Sequence, residues 1–336
     1  MKAAYINQTG PASVIRIGDL PEPRIQAGQV LVRVESVSVN PIDIYIRSGA
    51  VKAELPDPYI IGCDLCGVIE AVGEGTSRFK VGDRVWGSNQ GLSGRQGTSA
   101  EFCAVEEKWL YPLPTNVNAA TAAAGALVGI TAHLGLFLHA GLTSGEVLFV
   151  NGGTGGVGSS VVQFAKAAGA TVITTAGSAH KAEECLSIGA DHVIQYQTEN
   201  VAARLADITQ TTGPINVWFE TLRNPSLDLA VSCMAKRGRI ILMAGRDARP
   251  EFPVGPFYVK DLRMMGFAMF NASPEEQQLA AMEINQWMSA GKFIPRISRI
   301  LSLSRAADAH ELQEANTLHG AGTLAGKIVL NITDEQ

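Results

Sequence analysis

The sequence predicts an α/β protein in which a β-rich domain is joined to a domain built on a doubly wound parallel sheet. Residues 1 to about 115 contain short strand-like segments separated by turns rich in proline and glycine. Residues 146 to about 270 instead alternate short apolar runs with helix-like stretches. That alternation is typical of a parallel sheet covered by helices on both faces. A glycine-rich turn follows the first apolar run of this second region.

Length and composition limit the classes of protein. The 336 residues suffice for about two domains. Apolar residues make up 46% and charged residues 18%, so the chain can bury a large core and is not disordered throughout. The net charge is −5 at pH 7, whereas a nucleic-acid partner normally needs a basic domain. The five cysteines are irregularly spaced, which favours a cytoplasmic protein over a disulfide scaffold.

The β-rich region contains strand-like segments at residues 29–35, 67–73 and 82–87. The first and third partly alternate apolar and polar residues, as half-buried strands do. A helix is predicted from Ser273 to about Ala290, because Ser273-Pro-Glu-Glu resembles a capping box. Strand-like texture returns at residues 295–303 and 326–331, and we expect this tail to fold back onto the first domain.

An uncharged stretch from Trp109 to Gly145 is long enough to span a membrane. It consists mostly of alanine and glycine, with Thr121 and Thr131 inside it. Alanine is weakly apolar and a strong helix former. We therefore expect a buried helix pair in a soluble domain, and no membrane partner.

The second region predicts five strands near residues 147–150, 171–175, 192–196, 215–219 and 239–245. Residues 262–270 form a further apolar run that suits a sixth strand. Helices are predicted at residues 159–168 and 179–188, between successive strands.

The glycine-rich turn reads Gly153-x-Gly155-x-x-Gly158, after the strand at 147–150 and before a helix-like stretch. This is the context that a dinucleotide-binding fingerprint requires. Glycine lets the backbone turn tightly and approach a pyrophosphate, while the helix start offers free N–H groups. A glycine-rich turn without a ligand is the alternative.

The end of the second predicted strand indicates which nicotinamide cofactor binds. NAD-binding proteins usually place Asp or Glu there, to hold the ribose hydroxyls. Here no carboxylate appears before Glu183, whereas Ser178 and Lys181 are present. A hydroxyl and an ammonium suit a 2′-phosphate, so we predict NADPH. Lys181 could also be an ordinary solvated lysine.

Several motifs in order resemble the medium-chain dehydrogenase/reductase superfamily, specifically its zinc-free quinone oxidoreductase (zeta-crystallin-like) branch. The resemblance covers nearly the whole chain. Besides the glycine-rich turn, its motifs are Asn40-Pro-Ile-Asp-Ile-Tyr-Ile-Arg-Ser-Gly49, Gly62-Cys-Asp-Leu-Cys-Gly-Val68, Val81-Gly-Asp-Arg-Val85, Gly129-Ile-Thr-Ala132 and His319-Gly-Ala-Gly-Thr-Leu-Ala-Gly-Lys327.

The resemblance implies a GroES-like catalytic domain made from both parts of the chain, residues 1–117 and 286–336. A Rossmann NADPH-binding domain would occupy residues 118–285, with the active site in a cleft between the domains. It also implies a homodimer or homotetramer, paired through the last Rossmann strand near residues 264–270.

The turn and the resemblance together give a set of candidate cofactor contacts. These are Asn40, Thr131, Gly153, Thr154, Gly155, Gly156, Val157, Gly177, Ser178, Lys181, Tyr196 and Gly245. Tyr196 matches a tyrosine that meets the adenine side of the cofactor in the family.

A catalytic zinc is not expected. The zinc ligands of the alcohol dehydrogenase branch correspond to Asn40, Cys63 and roughly Leu127 here, whereas a catalytic zinc needs three protein ligands. Cys63 and Cys66 are expected to be small buried residues, although Cys63 could line the cleft.

The candidate catalytic residues are Asn40, Tyr45 and Thr131. The Asn40 amide could donate to cofactor or substrate, or it could belong to an ordinary turn before Pro41. Tyr45 matches a cleft tyrosine of the family that could donate a hydrogen bond or stack on a quinone, but it could also be a core residue. Thr131 matches a threonine near the nicotinamide, with a helix-interior role as its alternative.

The resulting expectation is zinc-independent hydride transfer from NADPH to a quinone or similar conjugated carbonyl acceptor. Relatives often carry a second cleft tyrosine where this sequence has Val51, which leaves an enone, alkenal or enoyl-thioester C=C reductase as an alternative. An alternative of another class is a low-turnover NADPH-binding sensor or structural protein, since fold does not fix function.

Overall fold

The computed structural model describes residues 1–332 and divides the chain into two compact units. The first unit comprises Met1–Leu127, Ser273–Ser289 and the residues from Ile294 onward. The second comprises Val128–Ala272 and Ala290–Phe293. The β-rich first unit is therefore assembled from segments far apart in the sequence, whereas nearly all of the second unit is continuous.

The strands are short, with one exception of 11 residues at β3. They are β1 Lys2–Ile6, β2 Arg16–Asp19, β3 Gln29–Val39, β4 Tyr59–Ile60, β5 Leu65–Val72, β6 Arg84–Gly87, β7 Phe102–Glu106, β8 Leu110–Pro112, β9 Val147–Val150, β10 Thr171–Ala176, β11 His192–Gln195, β12 Ile215–Glu220, β13 Met234–Leu242, β14 Arg263–Gly266, β15 Ile297–Ser302 and β16 Lys327–Asn331.

The α-helices lie mainly in the second unit and at its borders. They are α1 Pro41–Ser48, α2 Ala119–His133, α3 Gly156–Ala167, α4 Ala179–Ser187, α5 Val201–Thr212, α6 Leu227–Cys233, α7 Val254–Val259, α8 Pro274–Ser289 and α9 Ala306–Leu318.

The first unit is organised around β3. A seven-stranded sheet has the order β15-β16-β3-β5-β6-β8, and β7 pairs with the first half of β3. The antiparallel pairing of β16 with β3 sets Ile328 opposite Val39, so the tail does fold back onto the first domain as expected. Val30, Val32 and Val34 are fully buried and belong to a core that also includes residues of β5, β6 and β16.

The second unit contains the predicted doubly wound sheet. Its six strands are all parallel, in the order β11-β10-β9-β12-β13-β14. The strand order reverses beside β9, and in such sheets ligands bind outside the carboxyl ends of the strands at that point. Phe149, Ile173 and Trp218 belong to the apolar core of this unit.

The uncharged stretch forms α2, followed by a single π-helical segment at Leu134–His139. Residues 119–139 are long and apolar enough to cross a membrane by length and composition alone, but 78% of their most apolar window is buried. That burial is typical of a core helix. Gly135 lies against the Phe219 ring, because a Cβ at this position would be 2.5 Å from its Cε2 atom.

The sixth strand is shorter than predicted. β14 spans only Arg263–Gly266, and Met269–Asn271 forms a 3-10 turn. The apolar residues after Gly266 are explained by packing instead of strand pairing. Phe267 stacks on His139 with ring centroids 4.6 Å apart, and Met269 is 3% exposed.

A substitution at Gly67 tests how closely β5 packs against β3 in the first unit. A Cβ at Gly67 would overlap the Arg33 carbonyl oxygen of the neighbouring strand. We expect Gly67→Ala to lower the free energy of unfolding by about 1–3 kcal/mol, the usual cost of overpacking. Gly255→Ala, where a Cβ would meet open space, is the control and should leave thermal unfolding nearly unchanged. Equal melting temperatures for the two variants would contradict this account.

Candidate functional site

The glycine-rich turn connects β9 to α3 in the second unit, with Gly155 as the N-cap of the helix. The glycines allow the helix to pack closely on the sheet. A Cβ at Gly158 would overlap the Gly152 carbonyl oxygen, and a Cβ at Gly153 would overlap the Thr174 hydroxyl. Both positions therefore require glycine, whether or not a ligand is bound.

Three N–H groups of the turn are occupied within the fold, one of them that of Gly155, which donates to the Gly152 carbonyl at 3.1 Å. The Gly152 N–H donates to Thr175 Oγ1 at 2.9 Å, and the Gly153 N–H donates to the Thr175 carbonyl at 3.1 Å. The first helical hydrogen bond of α3 runs from the Ser159 N–H to the Gly155 carbonyl. Within residues 1–332, Gly156, Val157 and Gly158 therefore keep the unpaired N–H groups of a helix start, which suit an anion. This arrangement fits the pyrophosphate of a dinucleotide.

The end of the neighbouring strand β10 brings together other predicted cofactor contacts. Ser178 is the N-cap of α4, and its hydroxyl oxygen accepts a 3.3 Å hydrogen bond from the Lys181 N–H. The hydroxyl can still donate to a ligand. Tyr196 lies against Gly177, where a Cβ would be 2.6 Å from the phenol oxygen, and its side chain is 54% exposed. The first carboxylate after β10 is Glu183 in α4.

Gly245 and Thr131 lie elsewhere in the second unit. Gly245 follows β13 with φ of 84°, and a Cβ there would be 2.7 Å from the Arg223 carbonyl oxygen. Thr131 lies in α2, near its C-terminal end, and is 3% exposed.

Asn40 lies in the first unit at the centre of a buried polar cluster, and its side chain is fully buried. Its Nδ2 donates to Asp64 Oδ2 at 2.8 Å and to the Ser38 carbonyl at 3.3 Å. Its Oδ1 accepts a short hydrogen bond from the Lys327 ammonium. Both ends of the Asn40 amide are therefore occupied by neighbours in this unit.

The cluster contains two buried carboxyl groups and one buried ammonium. Asp64 Oδ2 also accepts from the Ser38 hydroxyl at 2.7 Å, and Lys327 donates to the Val39 carbonyl at 2.7 Å. Asp43 Oδ2 accepts from the Asn40 N–H at 2.7 Å and so caps the start of α1. Burial raises the pKa of Asp64 and lowers the pKa of Lys327, and the attraction between the two groups opposes both shifts.

Asp43 and Cys63 are neighbours in this cluster. Burial raises the pKa of Asp43 to about 7, and the nearby Asp64 charge adds to the rise. Burial also raises the pKa of the Cys63 thiol well above its usual value, and the Asp43 charge adds to this effect. Cys63 and Cys66 are fully buried, as expected, and a thiol in this environment is unreactive.

Tyr45 lies on α1, which is fixed at both ends. Asn40 and Asp43 hold its start. Near its end the fully buried Arg47 forms a short ion pair with Glu314 and donates to the Gly10 carbonyl at 2.6 Å. Val51 lies directly beside the tyrosine, because its N–H donates to the Tyr45 carbonyl at 2.9 Å. Any change at Val51 therefore acts close to Tyr45.

The residues at the zinc-ligand positions do not fit a zinc ion. The Asn40 oxygen that could ligate a metal is bound to an ammonium, so Lys327 supplies the positive charge beside the carboxyl groups. Across residues 1–332 there is no cluster of three or more His, Cys, Asp and Glu side chains able to hold a metal ion.

Lys327 and Asp64 were missed as partners of Asn40 by sequence reasoning, although both lie in motifs that it singled out. Lys327 is 287 positions from Asn40. The two meet because the β16–β3 register sets Ile328 opposite Val39. No local pattern in the sequence carries that register.

Asp43 gives a pH-dependent contribution to stability. Its pKa is about 7 in the folded protein against an ordinary value of 3.8, so between these pH values the folded protein binds more protons than the unfolded chain. Its contribution therefore weakens as pH rises from about 4 to about 7. We expect Asp43→Asn to reduce this decline in the free energy of unfolding, measured by denaturant titration across that range. An unchanged pH dependence would contradict the assignment.

Two family profiles match the chain. The "Alcohol dehydrogenase GroES-like domain" profile matches residues 26–115, and the "Zinc-binding dehydrogenase" profile matches residues 156–285. Among curated proteins, human quinone oxidoreductase is 32% identical over 331 residues, covering 98% of this chain and 97% of that protein. An NADPH-dependent alkenal/one oxidoreductase of Arabidopsis thaliana is 34% identical over 259 residues, covering 75% of this chain and 64% of that protein.

Solved structures are similar over the whole chain. An NAD-dependent alcohol dehydrogenase matches with a TM-score of 0.89 and 27% identity, covering 99% of this chain and 100% of that chain. A mycobacterial protein solved in complex with NADPH matches with a TM-score of 0.85, 28% identity and the same coverage. With a full-length curated relative above 30% identity and both family profiles in order, the chain belongs to the medium-chain dehydrogenase/reductase superfamily, in its quinone oxidoreductase branch.

Proposed function

We propose that the protein is an NADPH-dependent oxidoreductase that transfers hydride, without zinc, to a quinone or a similar conjugated carbonyl compound. The observation that carries this proposal is the glycine-rich turn, whose free N–H groups lie at the carboxyl edge of a parallel sheet. The human relative is named a quinone oxidoreductase. When bound, NADPH supplies the hydride, and the protein supplies binding and orientation.

NADPH is favoured over NADH by the residues after β10. The Ser178 hydroxyl and the Lys181 ammonium are suited to a 2′-phosphate, and no carboxylate stands there to hold the ribose hydroxyls. The mycobacterial neighbour was solved with NADPH. The residues proposed to contact the cofactor are the same set that the sequence predicted. This set includes the turn at residues 153–157, Tyr196 and Gly245.

For the acceptor, we propose Tyr45 and Thr131 as the residues that contact the reacting groups, with Asn40 as a third. The Tyr45 phenol would donate a hydrogen bond to the oxyanion that develops as hydride is added. Asn40 has one N–H that it could redirect to a ligand, the one in its longer 3.3 Å hydrogen bond to the Ser38 carbonyl. Residues 1–117 and 286–336 are proposed as the catalytic domain, and residues 118–285 as the nucleotide-binding domain.

Reduction of an enone or alkenal is the second candidate function. The Arabidopsis relative is named an alkenal/one oxidoreductase, and this chain carries an apolar Val51 hydrogen-bonded to the backbone of Tyr45. A valine at that place is smaller than a second tyrosine and has no hydroxyl, so it would enlarge or dry the pocket beside Tyr45. An enoyl-thioester reductase and a low-turnover NADPH sensor are the remaining alternatives.

For assembly, we propose a cytoplasmic homodimer or homotetramer that pairs through β14. This strand is the edge of the parallel sheet, so its outer backbone groups are unpaired within residues 1–332. Exposed apolar side chains lie in the preceding helix α7, including Tyr258 at 67% and Val259 at 66% exposure.

The deciding experiment compares oxidation of NADPH and NADH by the purified, metal-analysed protein. The acceptors are one ortho-quinone, one para-quinone, one alkenal and one enoyl thioester. NADPH-selective turnover with a quinone, in protein free of zinc, is the expected result. Turnover with the C=C substrates alone would favour the second candidate, and tight NADPH binding without turnover would favour the sensor.

Gly158 tests the placement of the cofactor at the turn. The added methyl group of Gly158→Ala displaces the turn, because it overlaps the Gly152 carbonyl oxygen. We expect the Kd for NADPH, measured by calorimetry, to rise about tenfold or more. Gly255→Ala in the same unit is the control. An unchanged Kd in Gly158→Ala would place the cofactor elsewhere.

Tyr45 tests the proposed acceptor site. We expect Tyr45→Phe to lower kcat with a quinone about a hundredfold, the usual effect of losing a donor to a developing oxyanion. The Kd for NADPH should stay within about twofold, because the change leaves the turn intact. Tyr5→Phe in β1 is the control. Wild-type kcat in Tyr45→Phe would remove the tyrosine from this role.

A further inference from the structure

Three neighbouring strands end beside the glycine-rich turn. β9 lies between β10 and β12 in the sheet, and the turn begins with Asn151, directly after β9. β10 carries Thr175 next to its end, and β12 ends at Glu220. The sheet therefore holds a hydroxyl and a carboxyl group on opposite sides of the first residue of the turn.

The Asn151 amide bridges these two groups. Its Nδ2 donates to Glu220 Oε2 at 2.8 Å, and its Oδ1 accepts from the Thr175 hydroxyl at 3.2 Å. The same Thr175 oxygen accepts from the Gly152 N–H at 2.9 Å. The Asn151 carbonyl accepts from the Thr221 hydroxyl at 2.5 Å. The side chain and the backbone at the start of the turn are thus fixed by both flanking strands.

Glu220 is the charged member of this network. It is 1% exposed. Besides Asn151, it accepts hydrogen bonds from Trp218 Nε1 at 3.1 Å and from the Leu222 N–H at 2.8 Å. These partners are all hydrogen-bond donors, which suits the two acceptor oxygens of a carboxylate. Burying a carboxylate costs stability even when it is hydrogen-bonded. Packing of the apolar core therefore does not explain a glutamate at this position.

We infer that Glu220 is a positioning residue for the cofactor: through Asn151 it fixes the backbone of the glycine-rich turn in the orientation that receives the pyrophosphate. Glu220 lies behind the turn and orients it without touching the ligand. The inference rests on the proposed binding of NADPH at this turn. No sequence motif pointed to Glu220, because it lies 69 positions after Asn151.

Glu220→Gln tests the inference. Glutamine offers one acceptor oxygen, so in either orientation its NH₂ group faces at least one of the three donors. Loss of a hydrogen bond to a charged group should raise the Kd for NADPH about tenfold. The KM for NADPH should rise with it, while kcat at saturating NADPH and the KM for the acceptor stay within about twofold. A general loss of structure would lower kcat as well.

The matched control is Glu146→Gln. Glu146 lies just before β9, at the amino end of the strand, whereas the turn follows its carboxyl end. The two carboxylate oxygens of Glu146 accept hydrogen bonds from the Arg239 guanidinium at 2.7 Å and 2.9 Å. Its replacement also removes a partly buried carboxylate from this unit, but away from the turn. We expect its Kd for NADPH to stay within about twofold of the wild type.

A reciprocal exchange separates positioning from stability. In the double variant Glu220→Gln, Asn151→Asp the glutamine NH₂ can donate to the new carboxylate, which restores the bridge with donor and acceptor exchanged. We expect this double variant to recover part of the lost affinity. Should Glu220→Gln fail to fold, Thr175→Val removes the hydroxyl on the other side of the bridge and should raise the Kd by a similar factor.

The outcomes distinguish this inference from the proposed function. If the wild type does not bind NADPH, or if Gly158→Ala leaves the Kd unchanged, the proposed placement of the cofactor is wrong. If Gly158→Ala weakens binding while Glu220→Gln and Thr175→Val leave the Kd within about twofold, the positioning role of Glu220 is overturned on its own.

Discussion

The buried ammonium of Lys327 is the contact on which the polar centre of the first unit depends. A lysine in a protein interior costs several kcal/mol unless partners compensate it. Here the compensation comes from the Asn40 amide oxygen, the Val39 carbonyl and the nearby Asp64 and Asp43 carboxyl groups. Without the ammonium, two carboxyl groups would share a dry site with no cation. The start of α1, and with it the position of Tyr45, follows from this arrangement.

In the second unit, the backbone of the glycine-rich turn is held by a different set of interactions. Its turn is shaped by glycines that pack against neighbouring backbone and side chains, and by hydrogen bonds from the ends of three parallel strands. Both units nevertheless contain an asparagine whose amide oxygen and amide nitrogen are both hydrogen-bonded. The Asn40 amide is bonded to Lys327 and Asp64. The Asn151 amide is bonded to Thr175 and Glu220. An amide held in this way has one orientation, because its two ends differ in chemistry.

Sequence reasoning predicted what depends on local pattern. The glycine-rich turn and the strands β9 to β13 have signatures within a few residues, and the structure contains them. The predicted length of β14 was wrong. Phe267 and Met269 are apolar because they pack against other residues, and they do not belong to the strand. The partners of Asn40 and Asn151 could not be predicted, because they arise from strand register and strand order between distant segments. The roles of Tyr45 and Thr131 stay predictions.

The pairing of β16 with β3 in the first unit has a consequence for biosynthesis. β3 is made early, but the last four of its 11 residues pair with β16, which is made after the whole second unit. During translation the second unit is nearly continuous and can fold as soon as its strands emerge, since domains generally fold as units on the ribosome. Until β16 has been made, the edge of β3 that pairs with it stays open. The two buried aspartates of the first unit also lack the Lys327 ammonium until then. The nascent chain therefore passes through a stage at which the second unit is complete and the first unit still lacks β16.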